Sequence, residues 1–369
     1  MVLYLYKDEV EKLIVGTTIM GTGGGGSPKE GLDMLLGDLE SGRKLILSDP
    51  DEVGPEAMVA CAYLCGSITA PSKGRGKAPS RRLERPQAHM PTALAVAERR
   101  LGAAISSVLP TELGGGNTAI AFHLASLLGV SALDADQCGR SAPELMQSSY
   151  QIHGVDAYPS IVADPDGNIV VVERCATADK YEAIVRGLAV EAGGSVFVLD
   201  SAVKNEKAKQ IAITRTVTKA MRLGECVIEA NEKGKNPKNE LLKATEGFEL
   251  FTGKVSSLRL GEKAGFLAGE STFVGEGAWK GHSFRIWVKN ENLIAWRDRK
   301  VIATCPDPII VVDQKGYGVT NSELRNGLKV TIIGMKAEPI WRTEKGIELF
   351  GPRHFGFKFD YKPIEQLVA

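Results

Sequence analysis

The chain has 369 residues, 45 Lys+Arg against 45 Asp+Glu, 43% hydrophobic and 24% charged residues. That length predicts two or three domains at ~100–200 residues each, and the formal net charge of zero excludes a protein whose main task is coating nucleic acid or an anionic membrane, which needs a basic excess. No apolar run approaches the ~20 residues of a membrane span, the first residues lack a signal peptide's features, and six cysteines are too sparse for a disulfide framework; the expectation is a cytoplasmic protein with reduced thiols.

In chain order, Lys7 to Thr18 predicts an opening helix with Val10, Leu13 and Ile14 on one face. The glycine run Gly21 to Gly26 ends it. Ser27-Pro28-Lys29-Glu30 then offers an N-cap serine, a proline at the first helical position and a glutamate that closes a capping box, so a second helix follows. Leu45–Leu47 and Met58–Leu64 read as strands around the turn Asp49–Asp51. Pro71 to Pro91, rich in Lys, Arg, Pro, Ser and Gly, predicts a long mobile loop. Alternation resumes with a helix over Thr92–Leu101, a strand over Ile105–Leu109, a helix over Asn117–Leu128, a strand over Val130–Leu133 and a helix from about Ala142. Tyr158 to Val172 reads as a hairpin about Asp164–Asn168.

A boundary falls near 165–195. The expected architecture is an α/β N-terminal domain (1–170) with a largely parallel or mixed sheet, plus a β-rich C-terminal domain (171–369) preceded by a long helix, roughly Asn205 to Glu232. Short β-like runs follow, among them Gly253–Leu260, Ser283–Lys289, Leu293–Trp296, Pro308–Val312 and Leu328–Ile333.

Three constellations carry candidate chemistry. Gly21-Thr22-Gly23-Gly24-Gly25-Gly26 formally contains GxGxxG and opens a helix, so the amides of Gly23, Gly24, Gly25 and Gly26 are candidates for an anion or oxyanion site. A dinucleotide site needs a strand before the glycines, and the preceding segment reads as a helix; the alternative is a tight helix-to-helix turn that binds nothing. The second is Glu112-Leu113-Gly114-Gly115-Gly116-Asn117, at the carboxyl end of a strand where ligands gather in open α/β sheets. Asn117 is a natural N-cap, while Glu112 stands beside glycines that leave it open to a ligand. The third is Asp134-Ala135-Asp136-Gln137-Cys138-Gly139-Arg140-Ser141-Ala142-Pro143-Glu144. Asp134 and Asp136 point the same way if the chain is extended, a pair that holds a divalent ion or sets one carboxyl's pKa with the other. Arg140 pairs carboxylates, Cys138 stands where a nucleophile or soft ligand would, and the alternative is a turn in which Asp134 caps and Asp136 pairs with Arg140. His89 ends the basic loop and is a candidate to swing over the site. That loop lacks the interleaved aromatics of single-strand nucleic-acid binding.

The order of these motifs, joined by Asn290-Glu291-Asn292-Leu293, Pro306-Asp307, Leu324-Arg325-Asn326-Gly327 and Gly351-Pro352-Arg353-His354-Phe355-Gly356, resembles the S-methyl thiohydantoin desulfurase family nearly end to end. Many of its members are encoded near hydantoin-utilisation enzymes. The resemblance implies hydrolysis of a small five-membered cyclic amide or thioimidate. The chain departs from the family pattern at Gln137-Cys138 and Ser141, and in the length of the basic loop.

The expected reaction uses Asp136 or Glu112 as base, with Asp134 setting its pKa. Gly23 to Gly26 and Asn117 would recognise the ring, and Glu144 and Arg140 would orient the acidic loop. No organic cofactor is expected, and a divalent metal at Asp134 and Asp136, with His89, is left open. The partners expected are a small-molecule substrate and a homo-oligomeric copy, with neither nucleic acid nor membrane. Two rivals remain: a nucleotide- or acyl-phosphate-binding enzyme that uses the glycine run, and a non-catalytic partner subunit of a hydantoinase-like complex.

Overall fold

The computed structural model describes residues 1–66 and 86–368. β1 (Val2–Leu5) leads into α1 (Lys7–Met20), which buries Val10, Leu13 and Ile14 as their spacing requires. α2 (Pro28–Glu40) starts as its sequence predicts: the Ser27 side chain accepts the Glu30 amide at 3.3 Å and Pro28 occupies the first turn, where its missing N–H costs nothing. β2 (Leu45–Ser48) and β3 (Met58–Gly66) follow. Most of the predicted mobile loop lies outside the described residues. Its described end departs from the expectation, because residues 86–89 form a 3-10 turn and α3 (Met90–Leu101) begins directly after His89.

β4 (Ile105–Pro110), α4 (Asn117–Leu128), β5 (Ser131–Leu133) and the short β6 (Ala135–Asp136) come next. The helix expected from Ala142 does not form; only α5 (Ser149–Ile152) is helical there. The amides that would build its ladder bond elsewhere: Gln147 N–H to Glu144 O at 3.0 Å, Ser148 N–H to Met146 O at 2.9 Å and Ser149 N–H to Gln137 O at 2.7 Å, so no i to i−4 series forms. β7 (Ser160–Ala163) and β8 (Ile169–Val172) make the expected hairpin, with the Asp164 carboxylate accepting the Asp166 and Asn168 amides in its turn. α6 (Ala178–Glu191) and β9 (Ser195–Lys204) complete this half.

The eight strands order as β1-β2-β5-β4-β3-β9-β7-β8. β2, β5, β4 and β3 are parallel and the others antiparallel. The parallel core brings the carboxyl ends of β3, β4 and β5, at Gly66, Pro110 and Leu133, to one edge.

The single long helix expected over 205–232 is two helices. α7 (Asn205–Ile211) is separated from α8 (Thr216–Glu232) by β10 (Ile213–Thr214), which pairs with β6, and by Arg215 in the left-handed region at φ 64°. α8 lies against α1 at a close approach, where a Cβ on Gly16 or Gly224 would strike the other helix's backbone. After α9 (Pro237–Thr245) come β11 (Phe248–Lys263), β12 (Phe266–Gly275), β13 (Ser283–Lys289), β14 (Glu291–Arg297), β15 (Lys300–Thr304), β16 (Ile309–Asp313) and β17 (Lys329–Gly334). They form a curled antiparallel sheet in the order β15-β14-β13-β12-β11-β17-β16, around a core that includes Phe251, Phe273 and Phe284. α10 (Glu344–Phe350) and α11 (Ile364–Leu367) close the chain. Among the described residues no helix is long and apolar enough to cross a membrane.

Candidate active site

The two halves meet at the glycine run. Backbone bonds run from Asn292 N–H to Thr22 O at 2.8 Å and from Asn321 N–H to Gly23 O at 2.7 Å, while Gly25 O accepts the amides of Gly116 and Asn117 at 3.0 Å each. The loop is therefore clamped between the β4–α4 loop and the C-terminal sheet. A Cβ on Gly24 would collide with the Glu291 carboxylate, and one on Gly25, which sits at φ 76°, would come to 2.5 Å from the Gly114 Cα. Gly23 faces the side chains of Asn321 and Asn292, and Gly26 faces Gly116. Close approach of backbone to its neighbours explains the glycines without any bound nucleotide. The strand that a dinucleotide site requires before Gly21 is absent, since residues 7–20 are α1.

At this junction two carboxylates converge. Glu112 Oε1 accepts the Asn117 side-chain amide at 2.7 Å, and its Oε2 accepts the Ala142 amide at 2.8 Å and the Ser141 hydroxyl at 2.7 Å. The same Ser141 Oγ lies 2.9 Å from Glu291 Oε1. Glu291 enters on the tight turn between β13 and β14, where Asn290 at φ 56° lets the strands reverse over one residue. Both acids are buried, and Glu291 Oε2 has no hydrogen-bond partner among the described residues. Burial, and then the charge of Glu112, push the Glu291 carboxyl up to about 8, against the pull of Ser141, Arg140 and Arg186. Burial raises Glu112 as well, opposed by the Ala142 amide and the Asn117 and Ser141 side chains. A hydroxyl carries one proton, so Ser141 can donate to only one of them. Both contacts are hydrogen bonds only if the other carboxyl is protonated.

Arg140 is fully buried and donates to the carbonyls of Ser141 and Pro306 at 2.8 Å and to the Thr22 hydroxyl at 2.9 Å, which ties the acidic loop to the glycine run and the C-terminal half. Asn117 also accepts the Leu64 amide through Oδ1 at 3.0 Å, so one side chain links β3 to Glu112. Asp134 accepts the Thr218 amide at 2.9 Å and the Thr218 hydroxyl at 2.5 Å, and so caps α8. Asp136 accepts the amides of Cys138 and Gly139 at 2.8–3.1 Å within its own turn; burial drives its pKa well up. The two aspartates bond to different elements rather than facing one ion. His89 stands on the β7–β8 hairpin, 3.3 Å from the Pro165 carbonyl, and among the described residues no group of three His, Cys, Asp or Glu side chains could hold a metal. Cys138 is buried among Leu293, Trp341 and their neighbours, its thiol donates to the Gln147 carbonyl at 3.0 Å, and burial pushes its pKa well up, which keeps it a thiol. Glu144 bonds His354 at 2.5 Å and pairs with Lys289; burial pushes its pKa up, but these two partners outweigh it and hold it below the ordinary range.

A family model described as "S-Me-THD-like, N-terminal domain" matches residues 8–174, and one described as "S-Me-THD-like, C-terminal domain" matches residues 176–364. The chain belongs to the S-Me-THD-like family. Its fold is similar to that in an X-ray crystal structure of a protein from Chromobacterium violaceum, at 19% identity over 98% of this chain and 100% of that one, with a TM-score of 0.76. No curated protein sequence matches it.

In this S-Me-THD-like protein, sequence reasoning did not assign Ser141, Glu291 or Arg186 to the site. Arg186 on α6 donates to the carbonyls of Gly66 and Pro143 at 3.0 Å and lies over the Phe266 ring, joining the end of β3, the acidic loop and β12 beside the carboxylates. Glu291 carried one signal: an acid between two asparagines at a strand reversal. Such a turn is ordinarily solvated, and only packing of the two halves buries it.

Proposed function

We propose that the chain is a hydrolase of a small cyclic amide or thioimidate, of the S-methyl thiohydantoin kind, whose acid–base work is done by Glu112 and Glu291 through Ser141. The observation that carries this is the pair of buried carboxylates on one serine hydroxyl. At neutral pH the pair holds a single proton on Glu291, which donates to Ser141 Oγ, and Ser141 donates to ionised Glu112. Like charges this close cannot both ionise cheaply, which separates the two carboxyls into an acid and a base.

For an S-methylated ring, water attacks the sp² carbon between the two nitrogens as Glu112 takes one of its protons. The C–O bond forms, the C–S bond breaks, and methanethiol leaves with the Glu291 proton. The new C–OH passes its proton to the adjacent ring nitrogen, which leaves the carbonyl of a hydantoin. Ser141 then returns the proton from Glu112 to Glu291, so the pair is reset without a further reactant. This reading moves the acid–base work away from Asp134 and Asp136, whose oxygens are occupied by amides and hydroxyls of the scaffold.

The test is hydrolysis of S-alkylated thiohydantoins and cyclic ureides, followed by thiol release or ring opening. Glu291→Gln and Glu112→Gln are each expected to lower kcat about 10²–10⁴-fold with circular dichroism unchanged. The wild-type rate should fall as pH rises through about 8, where Glu291 loses its proton, and that limb should vanish in whatever activity E291Q retains. Full activity in both variants would overturn the assignment, and a wild type inert on the whole panel would favour the non-catalytic partner subunit instead.

A further inference from the structure

A second feature does not include the carboxylate pair, although Thr111, the residue before Glu112, is one of its walls. Between α5, the start of α6 and the strands β3 and β9 there is a cavity of about 220 Å³, far above the ~10–15 Å³ that one water needs. Its walls include Tyr63, Tyr150, Tyr158 and Tyr181 together with Asp156 and Asp200, and no lysine, arginine or histidine is among the described residues that line it. The hydroxyls of Tyr63 and Tyr181 both donate to Asp200 Oδ2, each at 2.7 Å. Tyr181 meets the Tyr158 ring edge-on at 5.4 Å between centroids. Tyr150 is 1% exposed, and its hydroxyl has no hydrogen-bond partner among the described residues.

Each of these observations points to the same class of ligand. Aromatic walls attract a cation through the ring quadrupole. Among the described residues the buried Asp200 carboxyl is relieved only by hydroxyls and has no positive partner, and burial is the largest cause pushing it up. The unsatisfied Tyr150 hydroxyl lacks a polar partner at the cavity wall. We propose that this cavity is a binding site for a small organic ammonium ion, held by tyrosine rings and the Asp200 carboxylate. The site goes beyond the hydrolase reading and does not depend on it, because none of its walls belongs to the Glu112–Ser141–Glu291 group.

Calorimetric titration of the full chain with choline, against its neutral isostere 3,3-dimethylbutan-1-ol, tests the proposal. Choline is expected to bind and the alcohol to bind at least tenfold more weakly. Tyr158→Ala, at a half-buried wall residue on the edge of the core, is expected to weaken choline about two- to thirtyfold, the range of one cation–π contact. Tyr150→Phe keeps the ring and should retain the preference for choline over the alcohol. Equal binding of the two probes, or no choline binding by folded wild-type protein at millimolar concentration, would overturn the proposal. Unchanged choline affinity in Y158A would overturn the part of the tyrosine cage.

Discussion

The Asp134–Asp136 turn and the Glu112–Glu291 pair are both buried acids beside the same loop, yet their oxygens are used differently. In the turn, every carboxylate oxygen accepts from a backbone amide or from Thr218. In the pair, two carboxyls compete for the hydroxyl of Ser141, and one oxygen of Glu291 has no donor among the described residues. An acid saturated by scaffold donors holds structure together, whereas an acid facing another acid has a proton to move. That contrast, rather than the number of acids in a motif, separates a site from a turn.

The largest effect that could break the contrast is catalytic. Asp136→Asn should leave kcat on a validated substrate within about threefold of wild type while Glu291→Gln loses it; a D136N loss as deep as that of E291Q would return the chemistry to the turn. Next is Gly24→Ala, whose methyl would force the Glu291 carboxylate off Ser141. Overpacking of this kind costs about 1–3 kcal/mol, and activity should drop at least tenfold in a variant whose melting still shows one cooperative transition.

A thermal comparison across pH sharpens the pair further. Glu291 in the folded chain ionises at about 8 against an ordinary 4.5, so the folded state keeps a proton through a window in which the unfolded chain releases it. Its contribution is fully present below about 4.5 and is lost as pH rises through 8. The advantage of E291Q over wild type in Tm should therefore grow between pH 5 and pH 9, by an amount equivalent to a few kcal/mol; a flat difference would remove the shared proton. The smallest effect belongs to Asp134→Ala, which strips the donors at the start of α8 of their acceptor. It should cost about 1–2 kcal/mol in denaturant unfolding, with kcat unchanged.

Much of the fold was legible locally. Ser27-Pro28-x-Glu30 started α2 because capping depends on neighbours within one turn, and Asp164–Asn168 formed its hairpin turn for the same reason. The helix expected from Ala142 failed because the amides that would continue it bond to other carbonyls, Ser149 to that of Gln137 on the preceding turn. The expected 205–232 helix broke where β10 found a partner in β6. Glu112 was singled out by its place after a strand. Glu291, 179 positions later by subtraction of the two residue numbers, could not be paired with it from spacing.

The sequence by itself determined the α/β and β-rich halves, the family and the loops that hold candidate chemistry, because periodicity, caps and turns act over a few residues. Only the tertiary structure decided which acids meet, since a carboxyl's proton depends on burial and on what lies within a few ångströms. Ser141, Glu112 and Glu291 become one group when the two halves close on the glycine run, and Asp134 becomes a cap when α8 arrives beneath it.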